Sequence, residues 1–385
     1  MNRADFATLP DLAVRSLGGS VVAANDELFA ERENLIVPEA AGHRPATFGH
    51  RGQVYDGWET RRRREPGHDW AIVRLGLPGV VRGVVVDTAH FTGNYPPEAS
   101  VEGASVEGYP TPGELQRAEW LPLVPRSPVR GDTANRFAVE APRRFTHVRL
   151  RIYPDGGVAR LRVHGEVVPD PRHLPDGWLD LAALEHGGQV RGCSNMFYSA
   201  PANLIAPGLA RTMGEGWETA RRRDDGNDWV ELRLAGAGVV RLAELDTSWF
   251  VGNAPGWASL RGVDARAADP ADPAAWTAVL ARTRLLPDTR HRFRLDAAPE
   301  VTHVRLDVFP DGGLARLRLQ GPLAAEARAE LALRWLNLLP DDHARQVLTT
   351  AGGLDPAAAD RLATARPLAE LAQVPAPLRR DLLGS

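Results

Sequence analysis

Along most of the chain the apolar positions recur at every second residue. The clearest run is Val148, Leu150 and Ile152 alternating with Arg149 and Arg151, which predicts a strand with one buried face and one wet face. Pro154-Asp155-Gly156-Gly157 follows with turn composition, because glycine accepts positive φ, and residues 158–163 resume the alternation as the second arm of a hairpin. Residues 80–86, valine at five of seven positions, predict a further strand. Helical spacing is scarce until about Leu323. Beyond it Leu331, Trp335, Leu338 and Leu339 fall on one stripe, and Asp341-Asp342 ahead of residues 344–348 reads as a helix start.

The pattern occurs twice. Asp56-Gly57-Trp58-Glu59-Thr60 returns as Glu215-Gly216-Trp217-Glu218-Thr219, displaced by 159 residues. The same displacement relates His68-Asp69-Trp70 to Asn227-Asp228-Trp229, Asp87-Thr88 to Asp246-Thr247, and Gly93-Asn94 to Gly252-Asn253. Thr146-His147-Val148-Arg149-Leu150 and the Pro-Asp-Gly-Gly turn return 156 residues later, so an intervening loop has lost three residues. Asn34-Leu35-Ile36 matches Asn203-Leu204-Ile205 at a spacing of 169. Elements persist while loops vary, as duplication followed by drift would leave them. The expected fold is all-β: two tandem jelly-roll-like antiparallel β-sandwich domains with a short α-helical C-terminal tail. The expected boundaries are 1–166 and 178–321 for the repeats and 322–385 for the helical extension, with the proline- and charge-rich residues 167–175 as a linker.

Composition narrows the chemistry. The 385 residues, 43% of them hydrophobic, suffice for two cores. The formal charge is -3, which gives no field to hold nucleic acid or an acidic membrane. Every basic residue is arginine, so Schiff-base catalysis, pyridoxal attachment and the Gly-Lys phosphate loop are excluded. The single cysteine, Cys193, permits neither an intrachain disulfide nor a multi-cysteine zinc site. No apolar run approaches a membrane span or a signal-peptide core, and a cytoplasmic protein is expected.

Features kept in both copies are most economically explained by the fold, and features confined to one are better candidates for chemistry. Trp58, Trp70, Trp217 and Trp229 recur and are expected in the core, and His147 and His303 recur within strands as structural histidines. Copy one alone carries Asn25-Asp26-Glu27, His68 and His90, where copy two has Asn195-Met196-Phe197, Asn227 and Trp249, with Asn25 aligned to Asn195. Asp26, Glu59, His68 and Asp69 are the residue types that move protons, and each alone could equally be a turn cap or a surface charge. Arg61-Arg62-Arg63-Arg64 is either a solvated, ion-paired face or the source of a guanidinium that forks onto a substrate carboxylate. If that run is a strand, Arg61 and Arg63 share one face.

The stretches Leu17-Gly18-Gly19-Ser20-Val21-Val22-Ala23-Ala24-Asn25-Asp26, Asp56-Gly57-Trp58-Glu59-Thr60-Arg61-Arg62-Arg63 and Phe91-Thr92-Gly93-Asn94-Tyr95-Pro96-Pro97 closely resemble allantoicase, the allantoate amidinohydrolase of purine breakdown. The resemblance spans roughly residues 11–321. It implies paired jelly rolls, hydrolysis of allantoate to ureidoglycolate and urea, and a homo-oligomer. On that reading Glu59 or His68 supplies an acid, Asp26 or Asp69 a base, Arg61 or Arg63 the carboxylate clamp, and Asn25 and Asn94 bind substrate. Glu59 has an equal in Glu218, which weighs against it as the unique acid. A divalent metal such as manganese could take Asp26, His68, Asp69 or His90 as ligands, although no recognised spacing supports one. A non-catalytic sandwich that holds a sugar or ureide, or a scaffold subunit, is the rival reading. In the tail, Trp335-Leu336-Asn337-Leu338-Leu339-Pro340 and Ala365-Arg366-Pro367-Leu368 resemble the start of decarboxylases of the same pathway, too briefly to imply an activity.

Overall fold

The computed structural model describes residues 5–43, 46–50 and 52–384. In the first repeat the strands are β1 (Ser20–Ala24), the small hairpin β2 (Phe48–Gly49) and β3 (Gly52–Gln53), β4 (Trp58–Glu59), β5 (Asp69–Asp87), β6 (Glu98–Ala104), β7 (Leu121–Pro128), β8 (Ala134–Ala138), β9 (Arg144–Tyr153), β10 (Gly157–Val158) and β11 (Arg160–Val167). One short helix, α1 (Pro112–Arg117), lies between β6 and β7, started by a capping box between Thr111 and Glu114.

Strand β5 is long enough to serve both layers of the sandwich. Its first half pairs with β1 and β9 in the sheet β1-β5-β9-β6-β7, and its second half pairs with β11 and β8. The change of layer falls at Leu75-Gly76-Leu77-Pro78-Gly79, where the register with β9 breaks between Arg74 and Gly79. All these pairings are antiparallel. The alternation in β9 does what its sequence predicts: Val148, Leu150 and Ile152 are fully buried, while Arg149 and Arg151 stand on the outer face.

The second repeat rebuilds this plan. Its strands are β12 (Leu179–Asp180), β13 (Gln189–Cys193), β14 (Trp217–Glu218), β15 (Asp228–Val239), β16 (Leu242–Asp246), β17 (Trp257–Val263), β18 (Thr277–Arg284), β19 (Arg290–Arg294), β20 (Glu300–Phe309), β21 (Gly313–Leu314) and β22 (Arg316–Gly321). They form the sheets β13-β15-β20-β17-β18 and β12-β22-β16-β19, so the counterpart of β5 is divided into β15 and β16. The two repeats are therefore antiparallel β-sandwiches, followed by helices α2 (Ala325–Leu338), α3 (Asp341–Thr350), α4 (Pro356–Thr364) and α5 (Ala376–Leu383).

The chain divides into two compact units, Met1–Val168 with Leu336–Pro367, and Pro169–Trp335 with Leu368–Ser385. Each sandwich thus takes its own share of the helical segment. In the first unit Ser105 meets His343 of α3 at 2.8 Å. In the second, Arg328 of α2 donates to the carbonyls of Leu174 and Pro175. No described helix is long and apolar enough to cross a membrane.

One expectation needs correction and one refinement. Trp58 and Trp217 are wholly buried, but Trp70 and Trp229 stand half-buried on the outer faces of their sheets, because they sit one residue out of phase with the buried Ala71 and Val230. Residues 167–175 do join the two units, which divide between Val168 and Pro169, but they are ordered and partly buried: Val168, Asp170 and Leu174 are buried, and Asp170 caps a short turn and pairs with Arg172. The proline and charges read as linker composition are the parts of that turn.

Candidate functional site

The end of β1, the loop after β4 and the start of β5 meet at one rim of the first sandwich. Asn25 follows β1 and ties it to β5: its side-chain NH2 donates to Asp69 Oδ1 at 2.7 Å, and its side-chain oxygen accepts the Trp70 amide at 2.6 Å. Arg63 donates to the same Asp69 oxygen through Nη1 at 2.7 Å, while its own amide is held by Asp155 of the Pro-Asp-Gly-Gly turn. Asp69 is 1% exposed, and its second oxygen and Arg63 Nε are buried without a hydrogen-bond partner among the described residues. Asn25, Arg63 and Asp69 thus form one cluster.

The same cluster exists in the second repeat. Ser194 bonds Asp228 at 2.8 Å and accepts the Trp229 amide, Arg222 donates to Asp228 at 2.9 Å, and Asp311 holds the Arg222 amide. Asn25 therefore corresponds to Ser194, and Asp26 to Asn195. This shifts by one residue the alignment that the shared Asn suggested. The constant spacing of 169 carried by Asn34 and Asn203 is the signal that gives the correct register.

Asp26 and Asn195 occupy matched sockets. The Asp26 carbonyl accepts Trp58 Nε1, and its Oδ1 accepts the amides of Leu28 and Arg61. Asn195 accepts the corresponding Trp217 Nε1 and the amides of Phe197 and Ala220. What copy one adds is a charge and its partner, since Arg61 Nε reaches Asp26 Oδ2 at 2.7 Å and copy two has Ala220 in place of Arg61. Burial pushes the Asp26 carboxyl up, but the hydrogen bonds from Arg61 and Leu28 and the Arg61 charge outweigh it, and the net shift is downward. The arginine run itself is irregular loop, so the two-face alternation expected of a strand does not apply there.

Glu59 lies in β4 and is 9% exposed. Its Oε1 accepts a 2.7 Å hydrogen bond from Asn94, matched by Asn253 to Glu218 at 2.5 Å. Among the described residues no cation is paired with Glu59. Burial raises its pKa, opposed by the weaker effect of the Asn94 bond. Glu59 and Asn94 thus form a second pair, and Asp26 and Arg61 a third. The three groups are joined through the backbone of residues 57–63 rather than by side-chain bonds to one another.

His68, immediately before β5, is half-buried, with its ring tilted against Tyr153 at 5.2 Å between centroids. Burial lowers its pKa, and Arg151, Arg63 and Arg149 lower it further, so the imidazole is neutral at neutral pH. Tyr153 shares a hydrogen bond with Ser100 at 3.0 Å and lies under Arg126. Arg149 and Arg151 both pair with Glu102, at 2.6 and 3.2 Å. Neither Tyr153 nor Arg151 emerges from the sequence, yet a signal was present: copy two has Phe309 and Asp307 there.

His90 stands apart from this group. Its φ is 68°, its Nε2 lies 3.1 Å from the Ala41 carbonyl, and its ring stacks on His43. Trp249 adopts the same backbone, with φ of 74°, and donates Nε1 to the Ala210 carbonyl. His90 therefore fills a structural position that both copies share. Among the described residues no three of the His, Cys, Asp and Glu side chains gather as a metal site would require. Burial pushes the Cys193 thiol up, away from a nucleophilic thiolate. A cavity of about 240 Å3 in the first unit lies elsewhere, between α1 and α3, lined by Ser105, Glu114, Glu119 and Asp342.

Comparison with known proteins gives a consistent result. The family model described as the allantoicase repeat matches residues 10–168 and again 179–324. A protein of Nocardia farcinica named probable allantoicase is 61% identical over 321 residues, which cover 83% of this chain and 95% of that protein. An allantoicase of Dictyostelium discoideum is 41% identical over 317 residues, 80% of this chain and 86% of its own. The crystal structure of allantoicase from Saccharomyces cerevisiae superposes with a TM-score of 0.70 at 31% identity, covering 83% of this chain and 98% of that one.

Proposed function

The chain belongs to the allantoicase family, and from that premise we propose that its reaction is carried out at the rim of the first repeat. The protein hydrolyses a carbon–nitrogen bond of allantoate, releasing urea and ureidoglycolate. The central carbon of allantoate bears a carboxylate and two ureido nitrogens. Urea leaves once its departing nitrogen has gained a proton. The lone pair of the remaining ureido nitrogen assists the cleavage, and water then adds to the central carbon and gives a proton to a base. One proton enters and one leaves, so the site needs an acid, a base and a hold on the substrate.

Glu59 suits the acid, because its burial, with no cationic partner among the described residues, favours the protonated carboxyl. His68 suits the base, because its lowered pKa keeps the imidazole neutral and able to accept. Asp26 is held ionised and orients Arg61, whose exposed Nη groups are left for a ureido oxygen or the carboxylate. Asn25, Arg63 and Asp69 fix the loop that carries His68, and Asn94 orients Glu59.

The observation that carries this reading is the one-sided replacement on a duplicated frame. The bonds that Asp69, Arg63 and Asn94 make recur in copy two, while Asp26, Arg61 and His68 become Asn195, Ala220 and Asn227. Urea release from allantoate, assayed with and without manganese, tests it. His68→Asn, the residue copy two carries, is expected to lower turnover by roughly 100-fold or more, the usual weight of general base catalysis. Undiminished release would remove His68 from the site, and no release by the wild-type protein would favour a binding role. A cytoplasmic homo-oligomer without nucleic-acid or membrane partners completes the reading, in keeping with the near-neutral charge.

A further inference from the structure

The outer face of the first sheet, beside His68, differs from its twin in charge. On β9 the residues Arg149, Arg151 and Tyr153 point one way, facing Glu102, Ser100 and Glu98 of β6 and, for Arg151, Trp70 of β5. Arg63, Arg149 and Arg151 here meet two carboxylates, Asp69 and Glu102, and Glu102 is shared between two guanidiniums. In the second repeat Arg222, Arg261 and Arg305 meet four, Asp224, Asp228, Glu231 and Asp307. Arg126, over the Tyr153 ring, is matched by Glu98, while its counterpart Arg282, over the Phe309 ring, adds a fourth cation in copy two, so one cation beside His68 is left undercompensated whereas the equivalent patch of copy two is balanced.

Arg151 is the residue that makes the difference, since its counterpart is Asp307. Its contact with Glu102 is the longer of the two that Glu102 makes, and its Nε is buried with no partner among the described residues. A buried guanidinium donor left open in a cationic patch lacks an acceptor that carries negative charge. A planar carboxylate fits the fork of donors that Arg presents.

We propose that Arg151 anchors the carboxylate of allantoate next to His68 and so determines selectivity for the anionic substrate. This rests on the reading of the first-repeat rim given above and decides what that reading left open. With the carboxylate at Arg151, Arg61 takes a ureido arm.

The test measures kcat and KM for allantoate in Arg151→Gln and Arg151→Lys. It also measures inhibition by the methyl ester of allantoate, whose carboxylate is capped. Arg151→Gln is expected to raise KM by roughly 10- to 100-fold, the loss of a charge-assisted pair, with a much smaller fall in kcat. Arg151→Lys should recover part of that loss, and the ester should inhibit wild type and Arg151→Gln equally. An Arg151→Gln enzyme with wild-type KM, or one that loses the ester as severely as allantoate, overturns the anchor. His68→Asn reads the parent proposal separately, through kcat. A loss there together with unchanged KM in Arg151→Gln would defeat the anchor alone.

Discussion

Asp26 and Asn195 accept the same pair of backbone amides at the same turn, and one negative charge separates them. Asp26→Asn should therefore fold: the exposed partner Arg61 makes the lost ion pair worth about 0–1 kcal/mol, a change that urea denaturation would resolve as small. Allantoate turnover should nonetheless fall at least roughly 10-fold, because Arg61 loses the carboxylate that aims it. The titrating groups give signed expectations. His68 has a lowered pKa, so activity should fall on the acid side, below the ordinary histidine value of about 6.5, as the base is protonated, and should fall again on the alkaline side as pH climbs through the raised pKa of Glu59 and the acid loses its proton. Burial raises the Glu59 pKa, so Glu59 stabilises the fold most below its unfolded pKa and progressively less as pH climbs through its folded one. Glu59→Gln is then expected to raise Tm at neutral pH while abolishing turnover. His147 moves the other way. Burial depresses its pKa to about 4, so its contribution is present above its unfolded value and is lost as pH falls through about 4. The stake is roughly 3 kcal/mol. Thermal unfolding followed from pH 7 down to 4 should be less pH-sensitive in His147→Gln.

Strands and turns were legible where one residue after another obeys a single rule. Strands β9 and β11 form where their alternation predicts, with Pro-Asp-Gly-Gly between, but they are not the two arms of a hairpin: β9 pairs mainly with the first half of β5 and β11 with the second, so the turn carries the chain from one layer to the other. Strand β5 was legible only in its valine half, because Gly76, Pro78 and Gly79 look like the end of an element when they are the place where one strand changes layer. The site was legible as residue types and not as geometry. Asp69 gains its meaning from Asn25 and Arg63, one of them 44 residues away and neither foreseeable from spacing. Arg151 was hidden because its alternation with buried neighbours already explained it as a wet strand residue. At this scale a tight constraint lies at Gly157, where a Cβ would come within 2.0 Å of the Phe91 ring, as at Gly313 against Phe250 at 1.9 Å. Phe91 opens the turn that carries Asn94, whose carbonyl accepts the Gly157 amide, so Gly157→Ala should cost about 1–3 kcal/mol by overpacking and should weaken turnover by displacing Asn94. Calorimetry and the urea assay would read the two effects.

For the whole molecule, the C-terminal segment beyond the matched repeats is part of both compact units. Its helices bury Ala332, Trp335, Leu336, Leu348 and Leu378, so ending the chain after residue 324 would expose apolar surface on each sandwich. Calorimetry of that truncated chain should show a lowered Tm, and an unaltered transition would mean the helices are dispensable. The duplicated frame has one more consequence. Because the second sandwich still makes every bond that positions Asp69, Arg63 and Glu59 in the first, it is a vacant seat with its fittings intact. Asn195→Asp, Ala220→Arg, Asn227→His, Asp307→Arg and Phe309→Tyr, made together in a chain whose first rim is silenced, would ask whether five codons are enough to bring a dormant twin back to work.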